Sequence, residues 1–225
     1  MKNLFIIFLV TLTTSWAYSA NVGAGFKPTG IAGSVGIGAA LFEVASPKTD
    51  FKLDQGVYAA LGIEKGLNIW NFYVTFGLSY LTTEGQVKYH YETLSETDIY
   101  EASDVNMKME IFQAALGLKF KIIDGYWIRP YVEGGGFGGY YTLKYDNLAT
   151  KLAPTNTNRN FKSADSLIDF GSYAEGGMEL SFSETFGIKA AARIISAETK
   201  KFETLNKQTL QYQSQVFYLS VLKAF

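Results

Sequence analysis

From residue 70 the chain alternates. Trp70, Phe72, Val74, Phe76, Leu78 and Tyr80 occupy every second position, with Asn71, Tyr73, Thr75, Gly77 and Ser79 between them. A period of two sends the two sets to opposite faces of a strand. The pattern returns at Phe112, Ala114, Leu116, Leu118, Phe120 and Ile122, then at Phe170, Ser172, Ala174, Gly176, Met178, Leu180 and Phe182, and again at Phe186, Ile188, Ala190, Ala192 and Ile194. Less regular segments at 31–44, 57–63, 128–145 and 211–225 bring the expected count to eight strands. Glycines within them, such as Gly134, Gly135 and Gly136, suit a tightly curved sheet.

The links between these strands are unequal. Short turns are expected at 64–67, at Asp124-Gly125 and at 183–185, the Asp-Gly pair being of the two-residue hairpin kind. Long polar connections are expected at 45–55, 82–106, 146–163 and 196–209. Long and short links alternate, so four loops gather at one end and the turns, with both termini, at the other. That is the plan of an up-and-down antiparallel barrel with long loops outside the cell and short turns in the periplasm.

A membrane setting follows from the faces. The apolar rows would leave large side chains exposed in water far beyond an ordinary surface patch. In hydrocarbon, a β-structure survives only as a closed barrel, because every backbone group must find a partner. The expected fold is therefore all-β: a closed eight-stranded antiparallel transmembrane β-barrel. The opposite face collects Glu64, Lys119, Lys121, Arg129, Glu133, Glu175, Glu179, Lys189 and Arg193. Acids and bases nearly balance, and in a narrow lumen they are expected to pair as a structural network. Trp70, Tyr126, Trp127, Phe182, Phe186 and Phe225 fall near the turn end, and Tyr80 and Tyr141 toward the other rim, as two interfacial girdles.

Composition narrows the picture further. Residues 1–20 carry Lys2, an apolar run from Leu4 to Leu12, and Ala17 and Ala20 at the end, the pattern of a cleaved signal peptide. Residues 21–225 then form one barrel domain. Removing Lys2 from the 20 basic residues leaves 19 against 21 acidic ones, which gives no case for nucleic acid as a partner. With no cysteine and one histidine, a disulfide scaffold, thiolate chemistry and a multi-histidine metal centre are excluded, and no cofactor is implied.

Two features carry a resemblance: the segment 129–138 (RPYVEGGGFG) and the ending 217–225 (FYLSVLKAF). Through them the chain resembles the outer-membrane β-barrel family that includes the OmpA transmembrane domain and its small relatives. The resemblance implies an outer-membrane location in contact with lipid, and a terminal Phe225 read by the barrel-assembly machinery. Lys223 stands where that family usually has an apolar or aromatic residue.

Chemistry has few candidates. His90 is the only imidazole base, and its neighbours do not reproduce the His-x-Ser spacing of lipid A deacylase barrels. Glu175 and Glu179 share a face and would serve acid/base work only if their basic neighbours did not pair with them. Glu96, Asp98, Glu101 and Asp104 form an acidic stretch that reads as a solvated loop rather than a cation site. No enzymatic activity is expected. The leading expectation is a structural or surface-interaction role, with an unidentified extracellular partner meeting the long loops. A narrow channel for ions or small solutes is the alternative, ahead of a soluble lipocalin-like carrier or a lipid-modifying barrel.

Overall fold

The computed structural model describes residues 31–45, 50–67, 70–92, 99–124, 126–146, 164–202 and 208–225. The described residues form nine strands: β1 (Ile31–Ala45), β2 (Asp50–Leu53), β3 (Gly56–Gly66), β4 (Phe72–Glu92), β5 (Ile99–Lys121), β6 (Ile128–Asp146), β7 (Ala164–Ser181), β8 (Phe186–Phe202) and β9 (Gln208–Ala224). The sheet runs β4-β3-β1-β9-β8-β7-β6-β5 and closes by a β4–β5 ladder, every pairing being antiparallel. The fold is thus a closed, up-and-down, eight-stranded barrel. The short β2 lies end to end with β3 against β4, from Asp50 opposite Lys88 to Leu53 opposite Gly85.

The strands are longer than the pattern foretold. β4 has 21 residues and β5 has 23, about twice the roughly 9–11 that cross a bilayer. Much of what reads as polar loop is ladder: β2 falls within 45–55, β4 and β5 run through 82–92 and 99–106, and β8 continues to Phe202. A polar outward face in water is as sound a strand as an apolar one in lipid, so polarity alone misplaces these boundaries. Residues 147–163 lie outside the described residues.

Two turns also differ. The link after Lys121 runs from 122 to 127, not as a two-residue hairpin, with Ile122 donating its amide to the Pro130 carbonyl at 2.9 Å. Trp70 belongs to the turn before β4, with φ at 49°, and is 88% exposed. A non-glycine residue in that region is strained.

The outer wall changes character with height. Leu116, Leu118, Phe76, Leu78, Leu61, Ile37, Ile194 and Leu219 form an exposed apolar belt. Above it the same outward rows continue as Glu43, Glu84, Lys88, Lys108, Lys144 and Gln213. Tyr80, Phe112 and Tyr140 mark the boundary, with Tyr80 and Phe112 paired ring to ring at 4.6 Å. Tyr141, expected at this rim, faces inward and is fully buried; Tyr140 holds the outward place. A belt of this kind belongs in hydrocarbon, flanked by interfacial aromatics.

The interior reverses in step. Within the belt most of the large inward side chains are polar or charged, among them Thr75, Ser79, Gln113, Lys119, Lys121, Glu133 and Glu175. Above it they become Leu81, Val87, Val105, Met107, Met109, Ile111, Leu143 and Leu210, all buried and packed as one cluster. The lower barrel is apolar outside and polar inside. The upper barrel is polar outside and apolar inside, the logic of a water-soluble protein.

Candidate functional site

The nine charged residues expected on the inward face meet low in the lumen. Register brings them there: Lys119 stands opposite Glu133, Glu133 opposite Glu175, Arg129 opposite Glu179, and Glu175 opposite Arg193. Glu133 and Glu175 are like charges at one rung, a destabilising arrangement taken alone. Cations on the outer flanks of the pair offset it, since Lys119 lies 3.7 Å from Glu133 and Arg193 lies 2.5 Å from Glu175.

Contacts also cross the lumen. Lys119 Nζ donates to Glu64 at 2.5 Å and to Glu179 at 3.1 Å, joining β5 to β3 on one side and β7 on the other. Lys121 repeats both contacts at 2.8 and 3.1 Å. Arg129 lies 3.3 Å from Glu179, and Lys189 lies 3.4 Å from Glu175. Asp124, from the turn below, faces Arg129 at 3.8 Å. Five cations thus meet five carboxylates, so no net charge is stranded where an unpaired ion would cost several kcal/mol.

Tyrosines complete the network. Tyr131 and Tyr218 donate to Glu175 at 2.6 and 2.7 Å, Tyr173 and Thr75 each donate to Glu133 at 2.8 Å, and Tyr73 donates to Asp124 at 2.5 Å. Lys121 lies over the Tyr73 ring at 3.9 Å, and Arg193 over Tyr173 at 4.4 Å. The faces of these rings attract cations. The charge pattern alone does not single out these tyrosines, yet the parity does: Tyr131 lies between Arg129 and Glu133, and Tyr173 lies two residues before Glu175.

Inward glycines make room for the rings. A Cβ on Gly117 or Gly135 would strike Tyr173, and one on Gly177 would strike Tyr131. The outward Gly176 has open space around it, so curvature rather than crowding accounts for that glycine. The unfilled space beside the network, between Ser34, Ala60, Gly62 and Ser79, amounts to about 40 Å³. That holds a water or two.

The remaining candidates are dispersed. His90 lies in the upper part of β4, opposite Glu101 of β5. Asp104 is also in β5, while Glu96 and Asp98 lie outside the described residues. Glu175 and Glu179 are both occupied by cations. Phe225 donates its amide to the Ile31 carbonyl at 3.0 Å, sealing the β9 end against β1. Lys223 faces outward with its ammonium 5.5 Å from the Phe225 ring.

The fold and this lumen define a small barrel of the outer-membrane type. No family model matches the chain, and no curated protein sequence matches it. Solved structures do resemble it. The outer-membrane protein OprG of Pseudomonas aeruginosa superimposes with a TM-score of 0.55 at 14% identity, covering 87% of this chain and 96% of that one. Neisserial surface protein A gives 0.49 at 14% identity over 86% and 99%. Ail of Yersinia pestis gives 0.47 at 13% identity over 85% and 98%. The likeness to OprG is one of fold.

Proposed function

We propose that the protein is an outer-membrane barrel with a closed lumen, whose task is to hold a rigid, strand-built platform and its loops above the lipid for contact with an extracellular partner. The observation that carries this reading is the Lys119–Glu64–Glu179 bridge, which spans the lumen at 2.5 and 3.1 Å. A permanently open channel needs that space free. A soluble carrier needs the opposite polarity in the lower wall, where Leu116 is 62% exposed. The packed apolar interior above the belt supports the platform, because it stiffens a part of the barrel that bilayer crossing does not require.

In this reading residues 1–20 are removed on export, residues 21–225 form the barrel, the belt meets outer-membrane lipid, and Phe225 presents the end of β9 to the barrel-assembly machinery. The absence of native cysteine allows a direct test. A single cysteine at Lys108 is expected to react with a membrane-impermeant maleimide on intact cells, and one at Tyr126 only after the outer membrane is breached. Labelling of Tyr126→Cys but not Lys108→Cys on intact cells would overturn the proposal.

A further inference from the structure

Lys108 of β5 and Lys144 of β6 stand directly opposite each other on the outer wall. Two like charges at one cross-strand position are destabilising by themselves. One acid lies between them: Glu110, two residues nearer the girdle than Lys108, is 3.4 Å from Lys108 and 2.7 Å from Lys144. Two ammonium groups thus share one carboxylate, a formal excess of one positive charge. The lysine side chains are 41% and 51% exposed and that of Glu110 17%, so the acid is tucked beneath them. Each ammonium carries three N–H donors, more than Glu110 can take.

The cluster is built onto the girdle. The Tyr80 hydroxyl donates to Glu110 at 3.0 Å, and the Tyr80 ring packs on Phe112. At roughly 3.3 Å per residue on a strand tilted by about 40°, Glu110 stands about 5 Å above Phe112 and the Lys108 backbone about 10 Å. Both lysines bend down the wall to reach Glu110, as cations above a lipid boundary do. Their ammonium groups therefore fall in the head-group layer, which is roughly 5–8 Å deep on each side of the hydrocarbon. Thr82, opposite Glu110 on β4, adds a hydroxyl that has no hydrogen-bond partner among the described residues. A covered hydroxyl of this kind calls for one.

The excess is local. Higher on the same side Lys88 stands opposite Asp50, and Lys108 has Glu84 across from it on β4, so this part of the wall has no general pull on anions. What sets Lys108 and Lys144 apart is that they face each other and turn toward the girdle together. Across the barrel, the outward positions above the belt on β9 and β1 are Gln211, Gln213, Gln215 and Glu43, with no cation among them.

We propose that Lys108 and Lys144 clamp a phosphomonoester on the head group of an outer-leaflet glycolipid, with Glu110 and Tyr80 holding the two ammonium groups in place and the acyl chains lying along the belt below. A phosphomonoester carries roughly −1.5 to −2 charges at pH 7 and three acceptor oxygens, enough to take a donor from each lysine and offset their repulsion. A phosphodiester has one charge and fewer free oxygens and fits less well. The proposal rests on the barrel standing in lipid with its loops outside, and its test begins from protein already shown to be inserted.

The test places the refolded chain in phosphatidylcholine nanodiscs doped with diphosphoryl lipid A, dephosphorylated lipid A or phosphatidylglycerol, and counts retained lipid by native mass spectrometry. Protected amides in the Gly171–Ser181 ladder confirm insertion first; a ladder that fails to form would overturn the barrel reading and the clamp together. The expected result is at least fivefold greater retention of diphosphoryl lipid A than of either other probe, undiminished by excess inorganic phosphate. Lys108→Gln/Lys144→Gln is expected to lower that retention at least fivefold. Lys52→Gln/Lys88→Gln, an equal change of charge on the same side of the wall, should leave it within twofold. Equal retention of the phosphorylated and dephosphorylated lipids, displacement by inorganic phosphate, or the same loss in both double variants would each overturn the proposal.

Discussion

Lys119 and Glu64 stand on strands that share no ladder, yet Nζ and Oε2 are 2.5 Å apart across the lumen. Lys119 reaches Glu179 on the opposite side as well, so one ammonium ties three parts of the wall together. Removing one partner of a buried pair strands the other charge, at a cost of roughly 3–5 kcal/mol. Lys119→Met is expected to lower unfolding stability in urea by about that much. Glu64→Gln/Lys119→Met together should cost less than the two single changes added. Strict additivity would show that the contact contributes nothing of its own.

The space for Tyr173 depends on having no side chain at Gly117. A Cβ there would meet the Tyr173 hydroxyl and Thr75, both of which donate to Glu133. Gly117→Val should therefore displace the ring, release Glu133 and cost roughly 2–5 kcal/mol, in the range of overpacking plus a lost charged hydrogen bond. Gly176→Val, on the open outer face, is the control and should change stability little. Equal effects at the two positions would remove crowding as the reason for Gly117.

Above the belt the account requires a dry interior. Met109 is 1% exposed and packs in the apolar cluster, so Met109→Asp buries an unpaired carboxylate and should loosen the upper barrel. Hydrogen exchange is expected to accelerate in the upper parts of β5 and β6 while amides near Lys119 stay protected. A silent Met109→Asp would mean that water fills the upper lumen.

The eight strands of the barrel, their closure and the inward parity of the nine network charges were readable in the sequence, because alternation survives wherever one face meets lipid and the other does not; the short β2 was not. The tops of the strands were not readable. At Tyr80 and Leu81 the two faces exchange polarity, and a pattern that expects apolar residues outside reads Glu84 and Lys88 as loop. Tyr141 is expected at the outer rim because aromatics look alike on either face, yet it shares its parity with Arg129 and Glu133 and, like them, faces inward. Cross-lumen partners such as Glu64 and Lys119 depend on closure, which spacing along one strand does not encode.

The last residue is expected to matter during assembly more than afterwards. Phe225 contributes one amide bond to Ile31 and an exposed ring. Deleting it should lower the amount of barrel in the outer membrane while leaving the unfolding midpoint of the assembled fraction within about 1 kcal/mol. Normal assembly of the truncated chain would show that the machinery does not read this end.

Planar-bilayer conductance of the refolded chain tests the closed lumen most directly, with folding first confirmed by heat-modifiable gel mobility. The account predicts inserted, folded barrels that pass no current steps. Discrete, reproducible steps from the unmodified protein would contradict it and would make Lys119, Arg129, Glu133 and Arg193 part of a conducting path.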